Sequence, residues 1–216
     1  MKSAPTSGPN RQYPSWNAVK VAIGDKIIDA ITSAVALSKA DLATYRSLHS
    51  AWVAQHSVRG LAAWIHDRVW YHLTVVLADL PDVVITDNGV LREFAVGPPT
   101  EIIRFRVKRH DMDGDVSTYP TQLALDFLAQ VEGVLLPGFS ELHLIAGYRW
   151  DRDERSMGAA VISLRDGLDD IKWEVDLAPA APAGATTGLP AKPKPSAPVI
   201  DSGAAGAKNK NSQGPG

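Results

Sequence analysis

Arg104, Arg106 and Lys108 occupy every second position of one short stretch, just ahead of Thr118-Tyr119-Pro120-Thr121. A strand alternates its side chains between two faces, so all three cations would share one face. Followed by the unpaired amides of a helix start, such a face would hold a phosphate or another anion. Arg149, on a later apolar stretch, would join them if its strand lay alongside. The plainer alternative is a solvated strand face whose charges discourage edge pairing.

Other chemistry-bearing residues form weaker patterns. Asp111, Asp113 and Asp115 alternate like the start of a calcium loop, but Val116 stands where the sharp turn needs glycine and Gln122 where a bidentate Glu is required. A polar turn is the simpler reading. Glu93, Glu101 and Lys108 supply the residue types of a magnesium-dependent nuclease, yet Arg106 replaces the acid expected two positions before the lysine. His66 and His72 are six residues apart, which puts them on different faces of a helix, and His49 with His56 needs partners from elsewhere. His66 and Asp67 are neighbours, and adjacent helical side chains point apart. The chain has no cysteine, no His-Glu-x-x-His and no Gly-x-Ser-x-Gly. No catalytic residue, metal site or cofactor is assigned.

The elements that must position these residues follow from periodicity. A first helix begins near Pro14 and Ser15, with Val19, Ala22, Ile23, Ile27, Ile31, Ala34 and Val35 at three- and four-residue spacing. Ser38, followed three residues later by Asp41, resembles a new helix start, after which Leu42, Tyr45, Leu48 and Trp52 line one face. Ser57 opens a third helix with the stripe Val58, Leu61, Ala62, Ile65, Val69, Leu73, Val76 and Leu77. Trp64 and Trp70 on that helix are candidate anchors for a partner, because large aromatics carry much interface energy.

The period then changes. Two runs of branched and aromatic residues flank Asp87-Asn88-Gly89, a hairpin signal. The alternating strand from Glu101 to Lys108 comes next. Pro120 suits the first position of a helix whose core stripe is Leu123, Ala124, Phe127, Leu128 and Val131. Three further strands are expected at 142–150, 158–164 and 171–177. The fold class is α+β: an N-terminal helical layer on a mainly antiparallel sheet of about six strands, with one inserted helix.

The division expected along the chain is a flexible N-terminus at 1–15, one α+β domain at 16–177 and a disordered Pro/Ala/Gly/Lys tail at 178–216. The tail carries Lys192, Lys194, Lys208 and Lys210 against Asp201, a net +3, which leaves −5 for the rest of a chain whose total is −2. An acidic body argues against bulk attraction to nucleic acid. The first 15 residues lack the apolar run of a signal peptide, and no apolar stretch approaches the roughly 18 residues of a membrane span. A cytoplasmic protein without membrane contact is expected.

The stretch from Ser57 through Asp82, together with RFRVKRHD at 104–111, STYPTQLALDFLAQ at 117–130, LPG at 136–138, LIAGYRWD at 144–151 and IKWEVDL at 171–177, resembles a group of uncharacterised actinobacterial and phage-like proteins. Members often accompany a helix-turn-helix regulator with a metallopeptidase domain. The resemblance implies a partner or regulatory accessory role, and this chain carries neither a helix-turn-helix nor a zinc motif. The function expected is therefore a non-catalytic interaction or regulatory module with a protein partner. The alternative is a nucleic-acid or phosphate binder, a nuclease included, acting through Arg104, Arg106, Lys108 and Arg149.

Overall fold

The computed structural model describes residues 13–89, 91–98, 101–130 and 141–178. The expected disordered tail, the start of the N-terminus and Val131 lie outside them.

Ser15 caps α1 (Trp16–Ile23), its hydroxyl accepting from the Ala18 amide at 3.3 Å. The break that follows comes at Gly24, whose φ of +75° suits glycine and separates α1 from α2 (Asp25–Leu48). The expected restart at Ser38 does not occur. Ser38 is fully buried, and its hydroxyl donates to the Ala34 carbonyl at 2.7 Å, a bond back along the helix that keeps α2 continuous. Trp52 falls on the short α3 (Ser50–Gln55), and both Leu48 and Trp52 face water instead of extending a core stripe. Ser57 caps α4 (Val58–Leu77) as expected, accepting from Gly60 at 2.9 Å. Leu61, Ile65, Val69, Leu73 and Leu77 form its buried ridge at four-residue spacing, while Val58 and Val76 stay exposed.

Six strands follow: β1 (Val83–Asp87), β2 (Arg92–Val96), β3 (Ile102–His110), β4 (Glu141–Asp151), β5 (Ser156–Arg165) and β6 (Ile171–Leu177). They lie in one sheet in chain order, β1-β2-β3-β4-β5-β6. The hairpin forms around Asn88-Gly89, with four loop residues between Asp87 and Arg92: the Asn88 side chain accepts from the Leu91 amide at 2.7 Å. Every pairing is antiparallel except that of β3 with β4. Parallel neighbours need a crossover, and α5 (Gln122–Leu128) lies within it. Pro120 sits one residue ahead of the cap Thr121, not at the first helical position.

The alternation in β3 divides the sheet. Ile103, Phe105 and Val107 join Leu142, Leu144, Ala146 and Ile162 in the core beneath the helical layer. Arg104, Arg106 and Lys108 face the other way, where Val116, Phe127, Leu128 and Ile145 make a second, small apolar cluster under α5. The fold is thus α+β, with a mixed, mostly antiparallel sheet. No described helix is long and apolar enough to cross a membrane.

Candidate functional site

The basic face of β3 is largely neutralised from neighbouring strands. Arg104 meets Glu141 at 2.6 Å and Glu93 at 3.2 Å. Arg106 lies directly across from Glu93 in the β2–β3 register and contacts it at 3.2 Å. Its guanidinium also donates to the Leu123 carbonyl at 3.1 Å and lies 4.0 Å over the Phe127 ring. Arg149 does share this face, two residues beyond Gly147 and opposite His110 in the register, but it is bound by Glu174, by Asp176 at 2.8 Å and by the Asp111 carbonyl at 3.1 Å. Arg104 and Arg149 are therefore structural cations, and the four-cation site expected from the sequence does not form.

Lys108 is the exception. Among the described residues its ammonium has neither a hydrogen bond nor an ion pair, although the side chain is half-buried. Gly147 lies beside it in the register, where a Cβ would sit 1.7 Å from the Lys108 carbonyl oxygen, so β4 contributes no side chain to cover it. Burial, and then the charge of Arg106, hold the Lys108 ammonium below the usual lysine range.

The lysine opens into a recess of about 420 Å³. Its position follows from the strand lengths. Pairing of β2 with β3 stops at Glu93 and Arg106, while Ser117 refills the edge of β3 farther along by donating to the Arg109 carbonyl at 2.9 Å. A notch remains at Val107 and Lys108. Arg92 and Gly89 of the hairpin, His66 and Asp67 of α4, and Thr118, Tyr119 and Thr121 of the loop before α5 surround it.

One wall is a small network that proximity in sequence did not reveal. Arg92 contacts the Asp67 carboxylate through Oδ1 and approaches His66 Nδ1 at 3.3 Å. The adjacent side chains of His66 and Asp67 thus meet through a third residue. A nitrogen facing a guanidinium donor must accept, which places the His66 proton on Nε2. Burial first, and then the charges of Arg92 and Lys108, lower the affinity of His66 for a second proton. Three cations, Arg92, Arg106 and Lys108, line the recess against one carboxylate, Asp67.

The remaining candidates resolve into structure. Trp70 is 5 % exposed and donates to Asp87 at 2.7 Å, so it is a core residue and not a partner anchor. Trp64 is half-buried and stacks on Tyr45 at 4.8 Å. The Asp111 side chain accepts from the amides of Asp113 and Asp115, at 3.0 and 2.8 Å, which makes the aspartate run a turn. Glu93, one of the residue types a nuclease would use, is committed to two arginines. No described group of three His, Asp or Glu side chains is placed to hold a metal ion. His72 and Arg68 both bind Asp41, and His56 bonds Tyr45.

A buried polar cluster escaped sequence reasoning altogether. His110 and Ser163, both fully buried, meet at 3.0 Å, with Glu174 at 3.9 Å from the same nitrogen and Arg165 beside them. Serine and carboxylate share one nitrogen of the imidazole, which is not the geometry of a catalytic relay. His110, Ser163 and Arg165 are sealed from solvent, and only Glu174 is partly exposed.

No family model, curated protein or solved structure matches the chain. The site must be read from its own geometry.

Proposed function

We propose that the protein binds a small phosphate-bearing anion in the recess around Lys108. The observation that carries this reading is the half-buried ammonium without a partner among the described residues, on a face where each neighbouring arginine has one. An unpaired buried charge is costly, and an incoming anion offsets that cost. Arg106 and Arg92, each already paired with a carboxylate, line the same recess with N–H groups, and the Thr118 and Thr121 hydroxyls add donors. Size and charge favour a small ligand over a duplex. The cations converge in one recess, while residues 1–177 carry a net −5 that opposes a long polyanion. His66 accepts from Arg92 through Nδ1, which engages the lone pair that a general base would need. The reading is one of binding.

Calorimetric titration with pyrophosphate tests it. Lys108→Met should weaken binding about tenfold or more, the loss of one charge-assisted contact, whereas Lys39→Met on the exposed face of α2 should not. Equal affinity in both variants would remove the recess from consideration.

A protein-interaction or regulatory module is the second reading, and a different observation favours it. Leu48, Trp52 and Val58, at the junctions of α2, α3 and α4, are 69 %, 61 % and 68 % exposed. This surface replaces the Trp64 and Trp70 anchors. A stoichiometric protein retained by the tagged chain at high salt, and lost with Trp52→Ser, would support it. Nucleic acid retained only at low salt would return attention to Lys108.

A further inference from the structure

Tyr119 stands at the mouth of the Lys108 recess with 83 % of its surface exposed. The floor of the recess is cationic and its mouth is aromatic. We infer that the ligand is a nucleoside phosphate, its phosphate on Lys108 and Arg106 and its base stacked on the Tyr119 ring. This inference rests on the anion-binding reading above.

Three observations carry it. First, the Tyr119 backbone is held although its ring is free: its carbonyl accepts from the Thr121 amide at 2.8 Å, and Pro120 follows with a fixed φ. A large aromatic surface left in water on a constrained segment is a ready platform for another ring, and stacking on an aromatic tolerates any base. Leu123, 55 % exposed, widens this apolar rim.

Second, the walls between rim and floor are polar, as a sugar requires. Thr118 and Thr121 present hydroxyls. Asp67 is bound to Arg92 through Oδ1, which leaves Oδ2 as an acceptor for a ribose hydroxyl. A phosphotyrosine side chain joins its ring directly to the phosphate and would need an apolar slot close to Lys108; the rim and polar walls suit a nucleotide better.

Third, the volume fits. About 420 Å³ lies at the lower end of small-molecule sites and matches one nucleotide unit, free or at the end of a single strand.

The test is calorimetry on the full chain with inorganic phosphate, AMP, adenosine, phosphotyrosine and a pentanucleotide with or without a 5′-phosphate. AMP should bind about tenfold or more tighter than inorganic phosphate, the contribution of one stacked base. Tyr119→Ala should bring AMP down to the level of phosphate and leave phosphate itself unchanged. Because the ring is exposed, that variant should retain the wild-type fold. Lys108→Met should weaken phosphate and AMP together. A pentanucleotide that outcompetes AMP only when 5′-phosphorylated would identify a strand end as the source; AMP binding more tightly would identify the free nucleotide. Equal AMP affinity in wild type and Tyr119→Ala, or tighter binding of phosphotyrosine than of AMP, would overturn the inference while leaving the anion site intact. Phosphate binding unchanged by Lys108→Met would overturn both.

Discussion

The two ends of one sheet face carry the same kind of side chain to opposite effect. At the end formed by β4, β5 and β6, Arg149 and Arg165 converge on Glu174, with Asp176, Ser163 and the Leu168 carbonyl completing the set. At the other end Arg106 shares Glu93 with Arg104, and Lys108 receives no partner among the described residues. The first end is closed by the protein itself. The second is left with a half-buried ammonium, the place where the proposed anion would restore the same electrostatic balance. Positive charge on a strand face is therefore no evidence of a site until its partners have been counted.

The largest effect should come from breaking the closed end. Glu174→Ala leaves two buried guanidinium groups without their shared carboxylate and should cost about 3–5 kcal/mol, read from the urea midpoint. A loss under about 1 kcal/mol would mean the network is dispensable.

Next in size is a pH effect. In the unfolded chain a histidine takes up its proton near pH 6.5, whereas buried His110, depressed by desolvation and then by Arg165 and Arg149, does so only at about 3. Between those values the unfolded state holds more protons, so stability is full above 6.5 and falls as pH drops, by about 1.4 kcal/mol per unit for one group. His66, also depressed by burial, acts with the same sign. His110→Gln should flatten the slope of thermal stability between pH 6 and 4, and an unchanged slope would assign it to other groups.

The smallest effect sharpens the contrast. Lys108→Met removes an unpaired, half-buried charge and should leave stability unchanged or raise it by up to about 1 kcal/mol, opposite in sign to Glu174→Ala. Marked destabilisation would show that Lys108 already has a partner.

Local patterns in the sequence carried much of this architecture. Period-two alternation placed Arg104, Arg106 and Lys108 on one face, and the strands of β4, β5 and β6 lie where branched and aromatic residues cluster. Ser38 misled because a serine that caps a helix and one that bonds back along it look alike in sequence; Gly24, with its positive φ, marked the true break. The parallel pairing of β3 and β4 depends on the crossover, which no local pattern encodes. Partnership was equally hidden, since Arg104 finds Glu141 and Arg149 finds Glu174 across strands. The same distance concealed the contact of Arg92 with His66 and Asp67, which forms one wall of the recess.

The most direct test of the central claim is the titration of the Lys108 amine itself, followed by NMR after reductive ¹³C-methylation, with Lys108→Met assigning the signal. The amine's pKa should lie below that of the exposed lysines and shift upward, saturably, with pyrophosphate, because an anion favours the charged form. A Lys108 signal that titrates with the other lysines and ignores pyrophosphate would contradict it.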